Sequence, residues 1–160
     1  MGTLYAIEPG ATTPALSLSS PFTEVGYTED GVTIEYNAET NDIEVEEETF
    51  PIDRVITKET AVVTCNMAES SLANLDNAMA GAVLAGSIIT IGYGVMKTLN
   101  LKIEGIAPDG LLRSIMIPLA TAMGTVGMSY KKGEKTVVPV SFGALKPSGE
   151  PAVTIVDNAA

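Results

Sequence analysis

The sequence predicts a mainly β protein, an antiparallel β-sandwich or half-barrel with one short flanking α-helix. Apolar and polar residues alternate with a period of two in runs such as "VTIEYNA", "TAVVTCNMA" and "TVVPVSF", the pattern of strands with one buried face. Only "SSLANLDNAMAG" has the spacing of an amphipathic helix. Turn signals such as "EDG" and "PDG" punctuate the runs. With 160 residues, 46% hydrophobic and 18% charged, the chain fits one domain with a real core. Aromatics are 5% and Trp is absent, so that core is built from aliphatic residues and Met.

In chain order, residues 1–30 are rich in Gly, Pro, Ser and Thr and read as an extended N-terminal arm. Residues 31–146 form the β-sandwich domain, and 147–160 a C-terminal extension. Val32, Ile34, Tyr36 and Ala38 share one face of the first domain strand; Thr33, Glu35 and Asn37 share the other. The parity then flips in "ETND", which implies either a turn or a bulge in one long strand. Beyond it Ile43 and Val45 are expected to pack inward, with Asp42, Glu44 and Glu46 opposite. "TFPIDRVITK", with Pro51 inside it, reads as a long loop near 49–58. In "TAVVTCNMA" the inner residues are Ala61, Val63, Cys65 and Met67.

The helix is expected near 70–81, capped by Ser70 or Ser71, with Leu72, Leu75 and Met79 on its apolar stripe and Gly81 at its end. Asn77 to Met96 holds no charge, but four glycines and the strand-like "SIITIGY" argue for helix end, turn and buried strand rather than a membrane span. "LNLKIEGI" and "LRSIMIPL" follow, joined by "PDG". "GMSYK" and "TVVPVSF" then read as a hairpin through "KGE", with Val138, Val140 and Phe142 inward and Pro139 at an edge or bulge.

Composition narrows the function. There is no His and one cysteine, Cys65, so neither a Cys–His pair nor an internal disulfide is available, and no catalytic or cofactor site is expected. Cys65 lies on the apolar parity of its strand, which predicts an inert, buried thiol. A net charge of −11 argues against gripping nucleic acid through its phosphates. Residues 31–60 carry nine acids against Arg54 and Lys58, whereas residues 111–160 have a small basic excess. That polarity suits a subunit meeting copies of itself head to tail. Counted from Asp42, the acidic run fails the calcium-loop pattern, because Glu47 and Asp53 stand where Gly and Glu are needed. No basic n-region and apolar run of a signal peptide is visible at "MGTLYAIEPG".

Four segments in this order, "GTLYAIEPGATT" leading into "EVGYTEDGVTIEYNAE", then "NDIEVEEETFPIDRVITKE", "AVVTCNMAESSLANLDNAMAG" and "KTVVPVSFGALKPSGEPAVTIVD", resemble the major tail tube proteins of long-tailed (siphovirus-like) bacteriophages. The resemblance implies the tail tube fold, completing an inner β-barrel on oligomerisation. It implies rings, usually hexameric, stacked around a tape-measure protein, with tail terminator and tail-tip proteins at the ends and DNA only transiently in the bore. The location implied is the virion tail, assembled in the host cytoplasm. Under it, Glu35, Asp42, Glu44 and Glu46 would face the lumen, where an acidic wall repels DNA over ~8 Å at physiological salt. Leu4, Tyr5, Ile7, Phe50, Ile52, Arg54, Val55 and Ile56 would make inter-ring or inter-subunit contacts. The inner tube of a contractile tail or a type VI-like secretion system is the nearest alternative. A standalone acidic β-sandwich that decorates a virion or binds a cation or carbohydrate is another, and predicts a stable monomer.

Overall fold

The computed structural model describes residues 15–18, 23–24, 28–134 and 136–158. The strands are β1 (Ala15–Leu18), β2 (Thr23–Glu24), β3 (Thr28–Ile43), β4 (Asp53–Met67), β5 (Ala82–Ala85), β6 (Ile88–Ile91), β7 (Thr98–Ile106), β8 (Leu112–Met123), β9 (Val138–Ala144) and β10 (Thr154–Asn158). Helix α1 spans Leu72–Ala78. One antiparallel sheet has the order β2-β1-β7-β8-β9-β4-β3, and β5 and β6 form a separate hairpin. The large sheet curls until β1 comes back against β3, giving the half-barrel.

Alternation decides what fills the curl. Val63, Met67, Leu101, Ile117, Val138 and Phe142 are each 1% exposed or less and project to its inside. Val32 and Ile34 of β3 pack against this cluster from one side, and Leu75 and Ala78 of α1 belong to it. Val138, Val140 and Phe142 point inward as their parity predicts. Pro139 pairs with Asn66 of β4 at the end of β9 that β8 does not reach, so it has a strand on one side alone among the described residues, an edge position of the kind that tolerates proline.

Helix α1 is one turn shorter than expected at its C-terminus. Ser71 caps it, its hydroxyl accepting from the Asn74 N–H at 3.2 Å, and Met79 rather than Gly81 closes it. Leu75 is buried but Leu72 is 42% exposed, so the apolar stripe is narrow. Asp76, 8% exposed, is ion-paired to Lys97. The Lys97 ammonium also donates to the Asp76 carbonyl oxygen at 3.3 Å, tying the segment after β6 to the helix. Its backbone N–H adds a bond to the Ala80 carbonyl at 3.1 Å.

Several expectations change. Thr23–Glu24 and Ala15–Leu18 are strands of the sheet, with β1 paired to β7, so that part of the expected arm is hydrogen-bonded into the sheet; residues 1–14 lie outside the description. "SIITIGY" is not a buried strand: Ile88, Ile91 and Tyr93 are 65%, 70% and 71% exposed, because β5–β6 is a two-stranded hairpin with no described sheet laid over it. No described helix is long and apolar enough to cross a membrane. "GMSYK" forms no strand; β9 instead pairs with β4 and β8, and residues 124–137 are the connection between β8 and β9. β10 builds the C-terminal extension into the sheet beside β9, pairing with residues 112–116 of β8.

Candidate functional site

The feature that the core does not account for is the β3–β4 hairpin. Its 16- and 15-residue strands are far longer than the others' pairing requires. β9 covers only Val62–Met67 of β4, so residues 53–61 and their β3 partners extend past the sheet with no described strand on the outer side. At about 3.3 Å per residue, that overhang is roughly 30 Å long. Beneath its base lies a cleft of about 490 Å³ lined by residues that include Tyr36, Glu59, Ala144 and Lys146.

The base of the hairpin has a bulge in β3. Glu29 pairs with Asn66 and Val32 with Cys65, leaving Asp30 and Gly31 as extra residues at φ 60° and 77°. Those values explain the "EDG" signal, since Asp and Gly tolerate the left-handed region best. A second irregularity answers the question at "ETND". Glu39 pairs with Lys58 and Thr40 with Ile56, so β3 runs through as one strand and the additional residue is Thr57 on β4. The Thr57 hydroxyl donates to the Glu39 carbonyl oxygen at 3.1 Å, holding the bulge closed.

This placement rearranges the acidic residues. Because β3 has no inserted residue between Glu35 and Asp42, strict alternation puts them on opposite faces. Glu35 shares its face with Thr33, Asn37 and Glu39, across from Thr64, Val62, Thr60 and Lys58 of β4. That face is polar, and Lys58 pairs with Glu39 at 3.4 Å. Asp42 is cross-strand to Arg54 in a two-pronged ion pair, whose second contact, Nη2 to Oδ2, is 3.0 Å. The hydrogen bond from the guanidinium holds the Asp42 carboxyl below its usual range. Glu44 and Glu46 are not on a strand at all; they lie in the tip, residues 44–52, with Glu47 and Glu48.

Ile43 and Val45 do not pack inward. They are 42% and 37% exposed, since no part of the core reaches the overhang. The long loop is residues 44–52 rather than 49–58: Arg54, Val55, Ile56 and Lys58 are on β4, whose pairing with β3 resumes directly after Pro51 and Ile52. The Ile52 N–H donates to the Ile43 carbonyl at 2.9 Å and closes the tip. Phe50, Ile52, Val55 and Ile56 are 79%, 57%, 47% and 54% exposed. Tyr36 is 62% exposed and donates its hydroxyl to Glu59 at 2.5 Å, which raises the phenol above its ordinary value. Leu4, Tyr5 and Ile7 lie outside the described residues.

The remaining chemistry is structural. Cys65 is 6% exposed and burial pushes its thiol up to about 12, which keeps it protonated and inert. No cluster of metal-ligating side chains occurs among the described residues. Two partly buried ion pairs went unnoticed in the sequence: Asp76–Lys97, and Lys102–Glu104 on β7, where Glu104 also accepts from the Ser114 hydroxyl at 3.3 Å. Asp76 and Lys97 are too far apart in sequence for spacing to signal their pairing, whereas Lys102 and Glu104, two apart on one strand, share a face and could have been paired from the sequence.

No protein-family model matches the chain, and no curated protein matches it. Solved structures do. A chain of the virion of a native gene transfer agent particle aligns with a TM-score of 0.54 at 12% identity, over 91% of this chain and 95% of its own. A chain of the sheath-tube complex of an extracellular contractile injection system, PVC, in the extended state aligns with a TM-score of 0.56 at 10% identity, over 94% of this chain and 93% of its own. At such identities what is shared is the path of the backbone. What the chain shares with these components of a virion and of a sheath-tube complex is the fold, a curled antiparallel half-barrel with one short helix.

Proposed function

We propose that the protein is a structural subunit of a phage-like tail tube, polymerising as stacked rings into a hollow conduit. The observation that carries the reading is the overhanging β3–β4 hairpin on this fold. It exposes Phe50, Ile52, Val55 and Ile56 on a projection with no described core behind it, an arrangement that a solitary domain gains nothing from. Among the described strands β3 ends the sheet, with no strand paired along its outer edge. Joining it to a neighbour's sheet around a ring removes an edge that would otherwise pair at random.

In that assembly the polar face carrying Thr33, Glu35, Asn37 and Glu39 lines the bore, and Glu35 keeps the lumenal role that the sequence suggested. Asp42, Glu44 and Glu46 belong instead to the hairpin end, where they meet neighbouring subunits. Arg54 holds Asp42 there, while Phe50, Ile52, Val55 and Ile56 supply the contacts between rings. A tape-measure protein and, transiently, DNA occupy the bore, with terminator and tip proteins at the ends and the virion tail as the location. The contractile injection neighbour favours a second reading, the inner tube of a contractile assembly; specific binding of a sheath protein to the polymer separates the two.

Negative-stain microscopy and size-exclusion chromatography of the purified chain test the proposal. Rings or filaments are expected; a monomer at every concentration overturns it and favours the standalone module.

A further inference from the structure

The hairpin tip and the β8–β9 connection lie at opposite ends of the same strands. Met67 pairs with Thr28 on one side and Val138 on the other, and Met123 pairs with Ser141. Residues 124–137 therefore leave the sheet at the end where β3 begins, and residues 44–52 at the far end. The 15 residues of β4 put roughly 50 Å between them.

The two ends are chemically complementary. The tip presents Glu44, Glu46, Glu47 and Glu48, all exposed, beside Phe50 and Ile52 at 79% and 57% exposure. None of these glutamates has an ion pair among the described residues. The β8–β9 connection presents Lys131 and Lys132 beside Met128 and Tyr130, which are 41% and 74% exposed. Among the described residues Lys131 pairs with Glu134, in an exposed contact at 3.1 Å, which costs little to exchange. Glu29, Asp30 and Glu69 lie at the same end of the sheet, so the basic character is confined to the connection itself.

We infer that residues 124–137 of one copy receive the hairpin tip of the next, Phe50 and Ile52 seating on Met128 and Tyr130 while the tip glutamates face Lys131 and Lys132. The contact rests on the tube reading and specifies its polarity. A two-fold contact between tips would bring two sets of four glutamates together, a like-charge juxtaposition that opposes association. A tip meeting the opposite end of the next copy pairs unlike charges, and a contact between two different surfaces propagates rather than closing on itself.

The test is assembly of four full-length chains followed by sedimentation and negative-stain microscopy: wild type, Lys131→Glu with Lys132→Glu, Glu46→Lys with Glu47→Lys, and all four changes together. Wild type is expected to form filaments. Each reversal alone should lower the pelleted fraction about tenfold with circular dichroism unchanged, and the combination should restore it. Wild-type assembly gives a readout that needs no variant: its critical concentration should rise between about 0.1 and 1 M salt, as the screening length falls from ~10 to ~3 Å. Filaments that ignore both reversals and salt overturn the contact and leave the tube reading standing. A wild-type chain that never leaves the monomer overturns both.

Discussion

Replacing Lys97 with Met isolates the Asp76 carboxylate, and the structure gives the scale of the effect. The Asp76 side chain is 12% exposed and its Oδ1 already has no hydrogen-bond partner among the described residues. Lys97 is the cation on the other oxygen and also bonds the Asp76 carbonyl. Breaking a buried pair by removing one member costs about 3–5 kcal/mol, because the remaining charge loses its compensation. The Lys97 side chain is 28% exposed, so water reaches the pair and the low end, about 3 kcal/mol, is expected. For a chain of this size that corresponds to a fall in Tm of roughly 6–12 °C. Asp76→Leu should cost less, since the lysine can swing its ammonium into solvent. The double variant Asp76→Leu, Lys97→Met should return to within about 1 kcal/mol of wild type, as buried pairs replaced by apolar residues commonly do. Urea denaturation of the unassembled chain, followed by circular dichroism, measures all three. A Lys97→Met variant within 1 kcal/mol of wild type refutes the clamp between α1 and the segment after β6.

Three further outcomes are expected. Asp42 should titrate below the ordinary aspartate value in a carbon-detected NMR titration, because Arg54 favours its charged form. A depressed folded value means that the pair's contribution is complete above the unfolded value near ~3.9 and is lost as pH falls through the lower folded one; an Asp42 midpoint that Arg54→Ala does not raise contradicts this. Cys65 should stay unmodified by Ellman's reagent at pH 8 in the folded chain and react fully in denaturant, and rapid native labelling would show that the thiol is accessible. Ile117→Ala, in the core, should cost about 2–5 kcal/mol, whereas Ile91→Ala on the exposed hairpin should stay within about 0.5 kcal/mol; equal losses in urea denaturation would mean that β5–β6 is buried after all.

Much of the fold was legible because alternation is a local property. "TAVVTCNMA" declares its inner residues without reference to any other strand, and Val63, Cys65 and Met67 are all buried. The same holds for Val138, Val140 and Phe142 on β9. Legibility failed where the partner determines the outcome. "SIITIGY" has strand composition, yet its exposure depends on what covers each face: Ile89 packs against the core, while Ile88 and Ile91 have no described sheet over them and stay exposed. Pro51 suggested a loop reaching Lys58, but pairing with β3 carries Asp53–Lys58 into a strand.

The acidic segment shows the same division more sharply. By itself the sequence determined that 31–60 is strongly negative, that it cannot form the calcium loop tested, and that it is built mostly from strand-forming residues. Each of these follows from composition and near-neighbour spacing. Only the tertiary structure decided which carboxylates share a surface. The apparent change of parity at "ETND" is taken up by Thr57 on the opposite strand, so β3 does not change phase there and Glu35 and Asp42 face opposite ways. A bulge belongs to a pair of strands, and a residue's face is known only once its register against the partner is set.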